Sequence, residues 1–168
     1  KYRCYSLQGS NHLELGEYEK ALEYFNLSAS LLKLMNKNNL NKDEFYDYNI
    51  TNTIDICNVY DKLGEYEKSI KLLKDLIRSS KFEKYSYLEY SVLGNLAYSL
   101  MKNKQLSESK KYFTKAIKLA KKENDEYWTY AFLWYLDSAP KTDAIIIAEN
   151  LKANYTGLFK ENTDSTKF

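Results

Sequence analysis

Leu15-Gly16-Glu17-Tyr18-Glu19-Lys20-Ala21 returns as Leu63-Gly64-Glu65-Tyr66-Glu67-Lys68-Ser69, with six of seven residues identical. Each copy opens an apolar stripe with helical spacing. The first runs through Tyr18, Ala21, Leu22, Phe25, Ala29 and Leu32, and the second through Tyr66, Ser69, Ile70, Leu73 and Ile77. Steps of three and four put each set on one helix face. A third stripe of the same kind comprises Leu106, Ser109, Phe113, Ala116, Ile117 and Ala120. One slot is always small: Ala21, Ser69, Ser109. Small residues belong where paired helices approach closely. Glu17, Glu19, Glu65 and Glu67 stand at the helix starts, where the helix dipole favours negative charge.

Each stripe follows another helix. The preceding helices carry Tyr5, Gly9 and His12; Thr53, Cys57 and Tyr60; and Leu93, Leu96, Ala97 and Leu100. A fourth pair is expected, with Trp128, Ala131, Phe132 and Tyr135 facing inward on its first helix. Pro140 falls in the first turn of its second helix, where a missing N–H costs little, and Ala144, Ala148 and Leu151 continue the stripe. The spacing predicts helices over Tyr2–Leu15, Tyr18–Met35, Glu44–Lys62, Tyr66–Ser80, Lys84–Lys102, Ser107–Lys122, Glu126–Leu136 and Lys141–Asn154, and no strand. The turns fall at Gly16, Gly64, Lys104 and Ala139, and the Asn-rich stretch from Asn36 to Asn41 reads as a long connection. The expectation is an all-α repeat domain over residues 1–154, three clear helix pairs plus a fourth, followed by a polar C-terminal tail over 155–168.

Composition agrees. The chain has 168 residues, enough for one sizeable core. Five Gly and one Pro are too few for a many-stranded fold, and 17 Tyr suit helix seams and wet binding surfaces. Lys and Arg number 25 against 23 Asp and Glu, a net +2 with no single-sign stripe, which argues against direct nucleic-acid binding. Lys118, Lys121 and Lys122 complement a helix C-terminus instead. Cys4 and Cys57 read as buried free thiols. No apolar run approaches a membrane span and no signal peptide is recognised, so no membrane contact and a cytoplasmic location are expected. Starting at Lys1 rather than Met, the sequence reads as an excised segment.

Chemistry is sparse. His12 is the sole histidine and occupies a packing slot, so neither a Ser-His-Asp triad nor a His-rich metal site can be assembled. There is no Gly-rich phosphate loop. Acidic pairs such as Glu17 with Glu19 lie on an exposed helix start, with nothing to shield them. The expectation is a binding module with no catalytic residue, no metal and no cofactor. The three isoleucines Ile145, Ile146 and Ile147 exceed what one neighbour can cover, which predicts a contact there with the tail, another domain or a second copy.

At these positions the chain resembles the tetratricopeptide repeat family. The likeness rests on Gly9, Gly16, Tyr18, Ala21 and Phe25, then Cys57, Tyr60, Gly64, Tyr66 and Ser69, and then Ala97, Leu106, Ser109, Phe113 and Ala116. The turn intervals run from 48 down to 35 residues, whereas the family unit is about 34, and the usual proline at the repeat end is missing. Both departures look like the extended repeats of bacterial regulators. The resemblance implies a right-handed superhelix whose first helices line a concave groove. Projected onto this chain, that wall takes Arg3, Ser6, Ser10 and Leu13; Ile54, Asp55, Asn58 and Asp61; Ser91, Gly94, Asn95, Tyr98 and Met101; and Thr129, Tyr130 and Leu133.

Chaperone-binding members clamp a terminal carboxylate with Lys, Arg and Asn. The matching places here, Ser6, Ser10, Asp55, Ser91 and Asn95, do not carry that set: none of them is a Lys or Arg. The wall looks more like that of the RRNPP-type peptide-pheromone receptors of Gram-positive bacteria, which hold an extended peptide partly through Asn side chains. An Asn amide offers donor and acceptor together, so it can pair with any peptide backbone. On that resemblance the peptide-binding residues are Asp55, Asn58, Ser91, Asn95, Tyr98 and Tyr130. Asn58 and Asn95 also fit the alternative of solvated polar residues in an Asn-rich chain. A further resemblance is to repeat segments of bacterial signalling regulators, Bacteroidetes included, that serve as sensor or dimerisation modules. Two functions remain: a peptide- or protein-binding segment of a signalling or transcription-regulatory protein, or a structural scaffold that self-associates as a homo-oligomer.

Overall fold

The computed structural model describes residues 2–36, 42–79, 82 and 86–123. They form six α-helices: α1 (Tyr2–Glu14), α2 (Tyr18–Asn36), α3 (Lys42–Lys62), α4 (Tyr66–Ser79), α5 (Ser86–Lys102) and α6 (Leu106–Lys122). Every end lies within two residues of the place that the apolar spacing predicts. The expected fourth pair, the isoleucine run, the Asn-rich connection from Lys37 and the tail lie outside the described residues. Among the described residues there is no strand.

The same three-residue connection joins the helices within each pair. Gly16 and Gly64 both have φ of 75°, in the left-handed region that glycine enters without steric cost, and Lys104 enters it at 62° without that freedom. At each turn two amides bond back to the preceding helix. Gly16 N–H donates to the Leu13 carbonyl (3.1 Å) and Glu17 N–H to that of His12 (2.8 Å). The pattern repeats from Gly64 to Asp61 (3.2 Å) and Glu65 to Tyr60 (2.8 Å), and from Lys104 to Met101 (2.9 Å) and Gln105 to Leu100 (2.8 Å). These paired bonds satisfy carbonyls that a helix end otherwise leaves open. They return the chain antiparallel to itself three times.

In the second and third pairs residues twelve apart meet, Cys57 with Ser69 and Ala97 with Ser109, and the equivalent places in the first pair are Gly9 and Ala21. The small slot is buried in all three, with Ala21, Ser69 and Ser109 each 0 % exposed. Cys57 Sγ donates to the Ser69 carbonyl at 3.7 Å, and Ser109 Oγ to the Ala97 carbonyl at 2.6 Å. At Gly9 the fit is closest, since a Cβ there would stand 2.7 Å from the Phe25 ring. Glycine at this point lets Phe25 seal the pair.

The pairs then stack. The central core joins α3, α4 and α5 through Ile50, Cys57, Leu73, Leu88, Val92, Leu96 and Leu100. Ala21, Phe25 and Val59 tie the first pair to the second. Of the two cysteines, Cys57 is buried and its thiol is pushed up to about 12, chiefly by burial. Cys4 is free but exposed, contrary to the expectation that it packs inside. As the first helix, α1 is covered by α2 and along one edge by α3, and Cys4 falls on its outward side.

Candidate functional site: the face of the first helices

Helices α1, α3 and α5 touch in series, so the first helices form one continuous wall. Asp55 and Asn58 lie one turn apart on α3, and both are half-buried. The Asp55 carboxyl is pushed up to about 6 by burial, and no charge or hydrogen bond contributes. One turn on, Asp61 is handled differently. Ser99 of α5 donates from Oγ to its Oδ2 at 2.8 Å, and the Ser69 hydroxyl of α4 lies 2.8 Å from Ser99 Oγ. This relay links three helices through groups far apart in sequence. Burial still pushes Asp61 up to about 6, with the two hydroxyls pulling the other way. Its second oxygen, Oδ1, is buried without a hydrogen-bond partner.

On α5 the wall closes. Asn95 is only 6 % exposed, and its Nδ2 donates to the carbonyl of Ser91 one turn back, at 2.9 Å. Its backbone carbonyl lies 3.0 Å from Ser99 Oγ and competes with Asp61 for that hydroxyl's one proton. Ser91 and Tyr98 are half-buried, and Lys102 Nζ sits 5.3 Å from the centre of the Tyr98 ring. Gly94 and Met101, projected onto the open wall, are buried, and Met101 packs with Ala97 and Phe113. Tyr130 and its neighbours on the projected wall lie outside the described residues. The structure thus brings Asp55 with Asn58, and Ser91 with Asn95 and Tyr98.

His12 is a seam residue. Its ring stacks on Tyr24 with centroids 5.1 Å apart and planes at 4°, and Nδ1 meets the Glu17 carboxylate. That contact and Lys20 hold the Glu17 carboxyl below its ordinary range. Among the described residues no group of three or more His, Cys, Asp or Glu is placed to hold a metal ion, and no helix is long and apolar enough to cross a membrane.

The model of the tetratricopeptide repeat matches residues 2–31 and 90–123, which fall on the first and third pairs. The pair between them shares their register through Cys57, Gly64 and Ser69. The chain carries tetratricopeptide repeats. It is also similar to response regulator aspartate phosphatase A of Bacillus subtilis (strain 168), at 24% identity over 132 residues. These are 79% of this chain and 32% of that relative, so the chain spans about a third of the relative's length.

Two features of this tetratricopeptide array escape sequence reading. The Ser69–Ser99–Asp61 relay needs three helices in place before it exists, although Ser69 in the small slot hints at it. Asn52 is the other. It is 4 % exposed, and its Nδ2 donates to the Phe25 carbonyl at 3.1 Å. An amide among the inward positions of α3 is its only signal in the sequence.

Proposed function

We propose that this array is the interaction segment of a bacterial signalling regulator and that an extended peptide, or a flexible protein segment, binds along the first-helix wall. One observation carries the reading. Asp55 and Asn58 present polar groups at half-buried positions on the middle helix, with no hydrogen bond or ion pair from the described residues. Groups already partly stripped of water gain more from a ligand's hydrogen bonds than fully solvated ones do. Tyr98 and Ser91 extend the wall onto α5, where Tyr98 offers an apolar ring with a polar tip. Asn95 supports the wall from behind. The similarity to a relative named as a response regulator aspartate phosphatase favours a signalling role. No catalytic role is proposed for any described residue.

The test is direct. Peptides retained by the chain from native lysate are identified by mass, resynthesised and titrated. Asn58→Ala and Asp55→Ala should each weaken binding by about tenfold, the equivalent of one lost hydrogen bond to a desolvated group. Lys71→Ala, on the exposed side of α4, should leave it unchanged. Equal affinities for all four proteins would remove the wall from consideration.

Self-association is the second reading. Leu7 and Leu15 on the α1 side and Leu27 and Leu34 on α2 are 67 %, 73 %, 41 % and 57 % exposed. Sedimentation over a wide concentration range separates the readings: a dimer that dissociates in Leu7→Lys would favour a scaffold.

A further inference from the structure

Every exposed residue of α6 is a lysine except Ser107 and Thr114. Lys111, Lys115, Lys118 and Lys122 follow one another at steps of four, three and four, so they form one straight row along the helix. From Lys111 to Lys122 the row is about 17 Å long, at a rise of about 1.5 Å per residue. Lys110 and Lys121 flank it. The near balance of 25 cations and 23 anions over the whole chain hides this single-sign face.

The second helix of the preceding pair is balanced by contrast. On α4, Lys68 meets Glu65 at 2.6 Å, Arg78 meets Asp75 at 3.2 Å, and Lys74 meets Glu108 of α6 at 2.8 Å. Glu108 is the one acid of α6, so its charge is committed to α4. Lys115 reaches Glu89 of α5 at 2.9 Å. Lys110, Lys111, Lys118 and Lys122 have no ion pair with any described residue. Lysines three and four apart on one face repel each other and weaken the helix. The helix dipole offsets that for Lys121 and Lys122 in the last turn, and its effect does not reach the rest of the row.

We infer that the outward face of α6 docks an acidic α-helix of a partner protein, one with carboxylates at the same steps of four, three and four. Charge complementarity selects an anion, and the shape of the patch selects its kind. The row is one helix wide, because most cations of α4 beside it are neutralised by their own acids. A bilayer surface or a nucleic-acid duplex is broader than one helix and gains little from those paired charges. The face has no exposed apolar residue to enter a bilayer. It has no arginine for bidentate phosphate contacts and no exposed aromatic ring on which bases could stack. A helix of about three turns matches the length of the row, and its carboxylates relieve the repulsion between neighbouring lysines. The face belongs to a second helix, outside the first-helix wall, and its docking role does not rest on the peptide-binding reading.

The test uses a capped helical peptide with glutamates at those steps, carrying a fluorophore and titrated with the whole chain at low salt. A peptide of the same composition, its glutamates spread around the helix, is the comparison. The matched peptide should saturate, bind at least about threefold more tightly than the other, and be released at about 0.5 M salt. Lys111→Gln, Lys118→Gln and Lys122→Gln combined should weaken it about tenfold, the loss of several exposed ion pairs. All three side chains are exposed and glutamine suits a helix, so the fold is kept. Lys68→Gln, Lys71→Gln and Arg78→Gln combined remove the same charge from α4 and should change binding by less than about twofold. No saturable binding, equal binding of the two peptides, or an equal loss from the α4 variant would overturn the inference. So would tighter binding of a DNA duplex or of phosphatidylserine vesicles than of the matched peptide. Binding that survives Asn58→Ala separates this face from the wall, so either can fail without the other.

Discussion

Asn58 on α3 and Asn95 on α5 look alike in the sequence: both are asparagines on the projected inner face of a first helix. In the fold they differ. Asn58 is half-buried, whereas Asn95 is 6 % exposed and commits its amide to Ser91. The helices around them differ in the same sense. On α5 every residue from Val92 to Ala97 is buried, whereas α3 buries only Ile50, Asn52, Cys57 and Val59 of those described. Periodicity decides which way a side chain points. How far the neighbours close over it depends on its place in the array, and that decides whether a polar side chain binds a partner or braces the wall.

Core truncation should show the contrast most strongly. Leu96→Ala, at a fully buried position of α5, should cost about 2–5 kcal/mol. Ile54→Ala, at a half-buried position of α3, should cost about 1–2 kcal/mol. Urea midpoints measure both, and equal losses would mean that the two helices are equally enclosed.

Next in size is the response to pH. Asp55 and Asp61 have an ordinary value of 3.8 and are held at about 6 in the fold by burial. The folded chain keeps these protons longer than the unfolded chain does. Their contribution to stability is therefore full below the ordinary value and is lost as pH rises through about 6. Asp55→Asn removes the buried charge and should stabilise the chain near pH 7 by on the order of 1–2 kcal/mol, with little effect near pH 4. Denaturant midpoints at the two pH values check the sign. A gain of equal size at both would show that charge burial is not the cause.

The turns that end α3 and α5 offer a smaller test. A Cβ on Gly64 meets nothing within 4 Å, so Gly64→Ala costs only the strain of its left-handed backbone, about 1 kcal/mol. Lys104 already bears that strain, and Lys104→Gly should recover up to about 1 kcal/mol. Opposite shifts in thermal midpoint are expected. Shifts of the same sign would break the equivalence of the two turns.

What was legible in the sequence was what is local. The turn at Lys104 could be placed without a glycine because the stripes on either side fix its position. The slots at Ala21, Ser69 and Ser109 follow from helical spacing alone, and so do the helix ends. What was not legible depends on cover. Cys4 has helical neighbours that suggest burial, but α1 is an edge helix and leaves it outside. Asn95, Gly94 and Met101 lie on the projected wall, yet packing around α5 takes them inside. Asp61 reads as a wall carboxylate until Ser99 of another helix donates to it. Asn52 reads as one asparagine among many until its side-chain oxygen is found buried and unpaired.

Thiol labelling tests the contrast between α3 and α5 most directly. Cys57 is buried with its thiol held up near 12, so it stays silent, and Cys4→Ser removes the one exposed thiol. In that background Asn58→Cys and Asn95→Cys each carry a single reporter. The Asn58→Cys thiol should react at least about tenfold faster than the Asn95→Cys thiol, which can react only when the helix packing opens. Equal rates in two proteins of matched stability, or faster reaction at Asn95→Cys, would contradict an open α3 beside an enclosed α5.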